Sequence, residues 1–153
     1  MIEGYDPQGR FIVKLNLAYK SAESRVGLPI RVSLAVVGEG LVRSFAGDPA
    51  LRGKLEDALA EYAQRCTGAL AATIYRPTSY KYVLYLPPGA VDAHPIPIQP
   101  PLRNHLEINV QGDADWDEFC SYLYAERQRT GLFAAFRNLF RKAKRRSFDA
   151  PKG

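Results

Sequence analysis

Three aspartates at alternate positions are the residues of this chain that most resemble a ligand set. Asp113, Asp115 and Asp117 match positions one, three and five of a calcium-binding loop. Such a loop needs Gly at position six and a bidentate Glu at position twelve, where this chain has Glu118 and Tyr124. The pattern therefore predicts no metal site. The acidic residues are interpreted as favourable charge at the N-terminus of a helix.

The histidines and cysteines form no recognised catalytic or metal-binding motif. His94, His105, Cys66 and Cys120 are scattered, with none of the CxxC or HxxxH spacings. No Gly-rich phosphate loop follows a strand, and no serine lies in a G-x-S-x-G context. We therefore expect no catalytic residue, no metal and no cofactor, and a protein that is not an enzyme. Both cysteines fall on predicted apolar helix faces, which favours free thiols in a reducing, cytoplasmic setting.

Positive charge is concentrated at the end of the chain. The net charge is +5, but residues 127–153 contain nine Lys or Arg against one acid, whereas residues 1–126 contain twelve against fifteen. A basic amphipathic helix is predicted over 132–146, with leucines and phenylalanines along one side. The cations predicted to bind nucleic acid or an anionic surface are Arg137, Arg141, Lys142, Lys144, Arg145 and Arg146.

Three roles remain open for this basic helix. Its apolar side can dock on the rest of the domain and leave a solvated basic face. Alternatively, its cations can bind an acidic protein, or RNA through the phosphates. Phenylalanine and leucine opposite arginine and lysine also suit the surface of an anionic membrane.

A tyrosine-rich hairpin is the second candidate surface. Residues 70–76 and 80–86 are rich in β-branched and aromatic residues and flank a Pro-Thr-Ser turn. Tyrosines beside Lys and Arg on a sheet could stack bases, but tyrosine is also a good strand former, and the structural interpretation is favoured. The tyrosines expected to contact a protein partner, including two from the helix over 113–126, are Tyr75, Tyr82, Tyr85, Tyr122 and Tyr124.

Five strands are predicted to support these surfaces. Besides the two strands of the hairpin, alternating apolar residues predict strands over 11–19, 30–36 and 106–110. The first two of these are expected to pair with each other as an antiparallel hairpin. Six prolines within residues 87–101 predict an extended surface connection.

Helix boundaries carry local signals. Asp48 as N-cap, Pro49 at the first helical position and Gly68 at the left-handed C-terminal position bound the best-marked helix. Asp115, with Glu118 at capping-box spacing, predicts the start of the next helix. The only Trp, at position 116, is interpreted as a core anchor of that helix. The chain is expected to form one domain over 1–130, with the basic helix and a disordered end over 131–153.

An acidic pair followed by Trp, an aromatic residue and an aromatic-Leu-Tyr ending resembles the signature of a known family. That family is a bacterial domain family of unknown function related to the regulator of ribonuclease E activity B (RraB) family. The similarity spans roughly residues 10–126, and Ala125 stands where the family commonly has Pro. The residues that carry the motif are Asp113-Ala114-Asp115-Trp116, Phe119 and Tyr122-Leu123-Tyr124.

This resemblance implies an α+β domain of ferredoxin-like character. With the elements predicted above, the expected fold is an antiparallel five-stranded sheet with helices packed on one face and a C-terminal basic helix. The resemblance also implies a non-enzymatic bacterial regulator, of inhibitor or immunity type, which binds another protein, and the basic helix favours a partner with an acidic surface. An RNA-binding module and a membrane-surface protein remain the alternatives, and the oligomeric state is left open.

Overall fold

A six-stranded antiparallel sheet forms the centre of the computed structural model, which describes residues 1–6, 9–100 and 102–125. The strands lie in the order β1-β2-β4-β5-β3-β6, and every neighbouring pair is antiparallel. Their bounds are β1 Ile2–Asp6, β2 Gly9–Leu15, β3 Ile30–Val36, β4 Ala69–Arg76, β5 Ser79–Leu86 and β6 Leu106–Gly112.

Helices cover both faces of this sheet. On one face, α1 (Glu39–Gly47) and α2 (Pro49–Arg65) pack with the one-turn helix α3 (Ala90–Ala93) and the proline-rich connection. On the other face lies α4, which is helical over 117–125 within the described ranges. No helix in those ranges combines the length and the apolarity needed to cross a bilayer.

The α+β class and the antiparallel sheet are confirmed, and two details of the expectation are corrected. The sheet has six strands rather than five, because Ile2–Asp6 adds an edge strand to β2. The helices lie on both faces rather than one. The central strands carry apolar side chains on both sides, as Leu84 and Tyr85 of β5 show, and each side must be covered.

The expected pairing of the first two strands is also wrong. β2 pairs with β1 and β4, whereas β3 pairs with β5 and β6. The expected strand over 11–19 ends early because the Asn16 side chain accepts a hydrogen bond from the Ala18 N–H and turns the chain into a 3₁₀ turn at Leu17–Tyr19. Two such turns carry the chain away from β2 before β3 begins.

The start of α2 is confirmed, and its end is corrected by one residue. The carboxylate of Asp48 accepts a hydrogen bond from the Leu51 N–H at 3.0 Å, and Pro49 begins the helix. Thr67, not Gly68, adopts the left-handed conformation, with φ of 54°. Gly68 is required for a different reason, since a Cβ there would lie 2.5 Å from the carbonyl oxygen of Tyr85.

Trp116 is confirmed as a core anchor. Its side chain is 0% exposed, and its ring stacks on that of Tyr85 with the centroids 3.8 Å apart and the planes at 8°. The indole Nε1–H donates to the carbonyl oxygen of Leu28 at 2.9 Å, so the one polar group of the ring is satisfied. The backbone of Trp116 is left-handed, with φ of 57°, a conformation that a bulky residue rarely adopts.

The helix that Trp116 precedes is capped by Asp113 rather than by Asp115. The Asp113 carboxylate accepts a hydrogen bond from the Asp117 N–H at 2.9 Å, whereas Asp115 is exposed. The left-handed turn at Trp116 brings the first aspartate, instead of the nearer one, opposite the free N–H groups. The acidic run therefore does serve the start of a helix, although through a different member.

Candidate functional site

Two of the five tyrosines expected to contact a partner are fully buried. Tyr82 and Tyr85 are both 0% exposed, because they point into the cores on the two faces of the sheet. This corrects their assignment to a contact surface. Tyr75 and Tyr122 are partly buried, and Tyr124, at 65% exposed, is the most accessible of the five. The structure does not bring these residues together into one surface.

The second set of predicted residues lies outside the described ranges. The cations over 137–146, and with them the whole predicted basic helix, belong to the part of the chain that follows residue 125. The candidate site is therefore sought within the sheet and the helices that cover it.

A cleft of about 520 Å³ lies between the first turns of α2 and the sheet strands β2 and β4. Its volume falls within the range of about 300–1,000 Å³ typical of ligand sites. Three cations and one acid line it from the α2 side of the sheet, together with two tyrosine rings. Phe11 and Arg76 also border the cleft, but their side chains alternate to the opposite face. The charged residues of the cleft are Arg10, Lys14, Arg52 and Glu56, and its aromatic residues are Tyr75 and Tyr80.

Strand alternation and helix position bring these residues together. Residues 10, 12 and 14 of β2 point to the face on which α2 lies, because alternate side chains share a face. Ile12 pairs with Tyr75 of β4, and this pairing sets the tyrosine beside the basic residues of β2. Arg52 reaches the same place from the first turn of α2.

Aromatic rings hold the cations at the floor of the cleft. The Lys14 ammonium lies 5.2 Å from the Tyr75 ring centre, and the Arg52 guanidinium lies 6.0 Å from that ring and 5.8 Å from the ring of Tyr80. A nitrogen of the same guanidinium donates to the carbonyl oxygen of Ala46 at 3.3 Å. On the opposite face of the sheet, at the end of β4, Arg76 lies 5.2 Å from the Phe11 ring centre.

Glu56 is the single acid of the cleft, and the protein already surrounds it with donors. The Tyr75 hydroxyl donates to its carboxylate at 2.9 Å, and the Lys14 ammonium lies 3.5 Å from the same oxygen. Burial raises the pKa of Tyr75, and its hydrogen bond to Glu56 raises it further, so the phenol stays a donor at neutral pH. Because Arg10 pairs with Glu3 at 2.6 Å and Lys14 pairs with Glu56, the positive charge that the cleft keeps in excess is that of Arg52.

This arrangement suits an anionic group better than an aromatic one. Arginine and lysine donors at the wall of a cleft form charge-assisted hydrogen bonds with carboxylate or phosphate. The faces of Tyr75 and Tyr80, however, already contact cations, and Tyr80 is buried. A nucleobase would find no open ring face here on which to stack.

A second charged cluster, on the opposite face of the sheet, is neutralised by its own members. A nitrogen of Arg31 lies 3.4 Å from Asp113 and 3.0 Å from Glu118, and Lys81 lies 2.6 Å from Glu118. The Tyr85 hydroxyl donates to Asp113 at 2.7 Å. Burial, followed by this hydrogen bond, raises the pKa of Tyr85. Because two cations face two carboxylates, the cluster fixes α4 on the sheet rather than attracting a ligand.

The cleft was missed at the level of sequence because its residues are distant along the chain. The sequence held one indication of the cleft: Lys14 and Arg52 each lie on the polar side of an otherwise apolar strand or helix. Among the residues that the structure describes, no group of three or more His, Cys, Asp or Glu is arranged to hold a metal ion.

Comparison with known proteins found no relative of this chain. No family model matches the chain, and no curated protein and no solved structure matches it.

Proposed function

We propose that this protein is a non-enzymatic regulatory domain that binds another protein, and that an acidic segment of that partner lies in the cleft between α2 and β2. The observation that carries the proposal is the charge of the cleft, where Arg10, Lys14 and Arg52 face one lining acid, Glu56, around about 520 Å³. The resemblance of the Asp-Trp motif to the family related to RraB supports a regulator, of inhibitor or immunity type.

Preorganisation of the two central cations strengthens this proposal. Lys14 and Arg52 contact tyrosine rings, so part of the side-chain entropy that binding usually costs is already lost in the free protein. Carboxylates that enter the cleft would form hydrogen bonds with an arginine whose planar fork matches them. An extended acidic segment, rather than a globular surface, fits a space of this volume.

RNA is the second candidate, and the geometry favours it less. Sequence-specific RNA recognition relies on unstacked bases that lie against exposed aromatic or guanidinium planes. Here both faces of the sheet are covered, and the tyrosine rings of the cleft contact the protein's own cations. Contacts to phosphate alone remain available to RNA, and the experiment below includes this outcome.

A binding titration tests the proposal. A fluorescent ten-residue peptide rich in Glu and Asp would be titrated with the full chain, and its anisotropy measured. Arg52→Gln and Lys14→Gln each remove one charge from the cleft and keep most of the side-chain stem. We expect each to weaken binding about tenfold, which corresponds to about 1.4 kcal/mol. Raising the salt concentration should weaken binding of the unmodified chain in the same direction.

Arg43→Gln is the matched control. Arg43 lies on α1, outside the cleft, with its side chain 78% exposed and paired with Glu39. The same loss of one charge there should change the affinity less than twofold. Equal effects of the three variants, or no peptide binding at low salt, would refute the acidic-segment proposal. Tighter binding of a single-stranded RNA of equal charge, lost in the same two variants, would favour the RNA candidate instead.

A further inference from the structure

The last strand of the sheet has an open edge. β6 pairs with β3 along its whole length, from Leu106 opposite Val36 to Gly112 opposite Ile30, without a bulge. No other strand among residues 1–6, 9–100 and 102–125 pairs with β6. An open edge presents backbone N–H and C=O groups to whatever lies beside it.

The hydrogen-bond pattern shows which residues present these groups. The Val37 N–H donates to the carbonyl oxygen of His105 at 3.0 Å, and the Asp113 N–H donates to that of Pro29 at 2.7 Å. In an antiparallel ladder the residues that bond to a given neighbour alternate. Odd-numbered residues of β6 therefore bond to β3. The residues whose N–H and C=O groups point to the open edge are Leu106, Ile108, Val110 and Gly112.

The side chains of this strand do little to protect the edge. Proteins usually block an open edge with lysine, proline or a bulge, and β6 has none of these. Leu106 and Ile108 pack partly against the core below α2, but Val110 is 49% exposed. An apolar side chain that is half exposed on an unblocked edge strand indicates a surface that another strand covers.

We propose that β6 is the interface of a homodimer, in which the β6 strands of two copies pair antiparallel to form one continuous twelve-stranded sheet. Outward-facing residues must pair with outward-facing residues, so even numbers meet even numbers. The register that pairs all seven residues of the strand is centred on Asn109. It sets Ile108 opposite Val110 of the second copy, and Gly112 opposite Leu106.

A second copy of the chain is proposed to cover the open edge because the sequence of β6 is complementary to itself. In this register Glu107, the one charged residue of β6, lies opposite Gln111 rather than opposite another Glu107, so no like charges face each other. The half-exposed Val110 gains an apolar neighbour in both copies at once, as a two-fold symmetric interface requires.

This interface is independent of the cleft. β6 lies at one edge of the sheet, whereas β2, which contributes Lys14, lies next to the other edge. Dimerisation would leave the cleft of each copy accessible, and the two copies could bind two acidic segments together.

The mass of the full chain in solution tests the dimer. Sedimentation equilibrium between about 10 and about 500 µM should show a shift from 17.1 kDa towards twice that mass. Val110→Lys adds a charge to the edge and should raise the dissociation constant at least tenfold. Leu17→Lys is the matched control, because Leu17 is also a half-exposed aliphatic residue, at 50%, but follows β2 near the other edge of the sheet, and it should leave the dimer unchanged.

Amide hydrogen exchange gives a second, residue-resolved readout. At high protein concentration the N–H groups of Ile108 and Val110 should be protected, and dilution should remove their protection while that of Asn109 remains. A mass of 17.1 kDa at every concentration would overturn the proposal. A dimer that survives Val110→Lys, or equal exchange of Ile108 and Asn109 amides after dilution, would overturn it as well.

Discussion

The left-handed backbone of Trp116 leads to a prediction that reverses an ordinary preference between alanine and glycine. The residue has φ of 57°, and a left-handed conformation costs an L-residue with a Cβ about 1–2 kcal/mol. Glycine adopts it without that cost. Trp116→Gly should therefore be more stable than Trp116→Ala by about 1 kcal/mol, although both variants lose the same indole.

The absolute losses follow from the packing of the ring. Trp116 is fully buried against Tyr85, and its Nε1–H bonds to Leu28. Replacing a buried Trp by Ala typically lowers the free energy of unfolding by about 3–5 kcal/mol. We expect a loss of about 4 kcal/mol for the alanine variant and about 3 kcal/mol for the glycine variant, both measured by urea unfolding followed by far-ultraviolet circular dichroism.

Phe119 provides the matched control. It is equally buried and packs edge-on against the Trp116 ring, but it lies within α4. At a helical position glycine is less stable than alanine by about 0.5–1 kcal/mol. Phe119→Gly should therefore unfold at lower urea concentration than Phe119→Ala, opposite in sign to the pair at Trp116. The same sign at both positions would show that the turn into α4 is not left-handed.

Two further predictions concern the buried tyrosines. The Tyr82 hydroxyl is buried with no hydrogen-bond partner among the described residues, so Tyr82→Phe should leave the free energy of unfolding unchanged or raise it by up to about 1 kcal/mol. Tyr85→Phe removes the donor to the Asp113 carboxylate and should lower it by about 1.5–3 kcal/mol; equal urea midpoints for the two variants would contradict this. Burial raises the pKa of Tyr62 from 10.0 to about 12. Because the unfolded chain loses the Tyr62 proton at a lower pH than the folded chain, the free energy of unfolding should fall between about pH 10 and about pH 12. In the folded protein the absorbance of the Tyr62 phenolate should therefore appear above pH 10. Titration of all nine tyrosines together near pH 10 would refute this.

Local signals in the sequence were sufficient for the elements that depend on near neighbours. The start of α2 followed from Asp48 and Pro49, and the β4–β5 hairpin from the Pro77-Thr78 turn between two aromatic runs. The period of two along β5, which places Tyr82 on one face and Tyr85 on the other, likewise needs no distant contact. These features are decided by capping, turn geometry and side-chain periodicity within a few residues.

Strand pairing and burial from both sides were not predictable in this way. β1 was missed because Gly4 and Asp6 are poor strand formers, and only its pairing with β2 makes it a strand. Tyr82 and Tyr85 were expected on an accessible surface because the alternation of one strand does not show that both faces are covered. The cleft depends on the pairing of β2 with β4, which joins segments about sixty residues apart.

Where helices cover the sheet, and where they leave it exposed, decides where binding can occur on the described part of this chain. Helices enclose β4 and β5 on both faces, so most side chains of these strands, including Tyr80, Tyr82 and Tyr85, are used for the core. Exposed functional groups are left at the two margins: the basic side chains beside β2, and the backbone of β6. The edge near β2 presents charged side chains, and the edge formed by β6 presents backbone hydrogen-bonding groups. A domain of this construction can bind an acidic segment at one edge while it pairs with a second copy at the other.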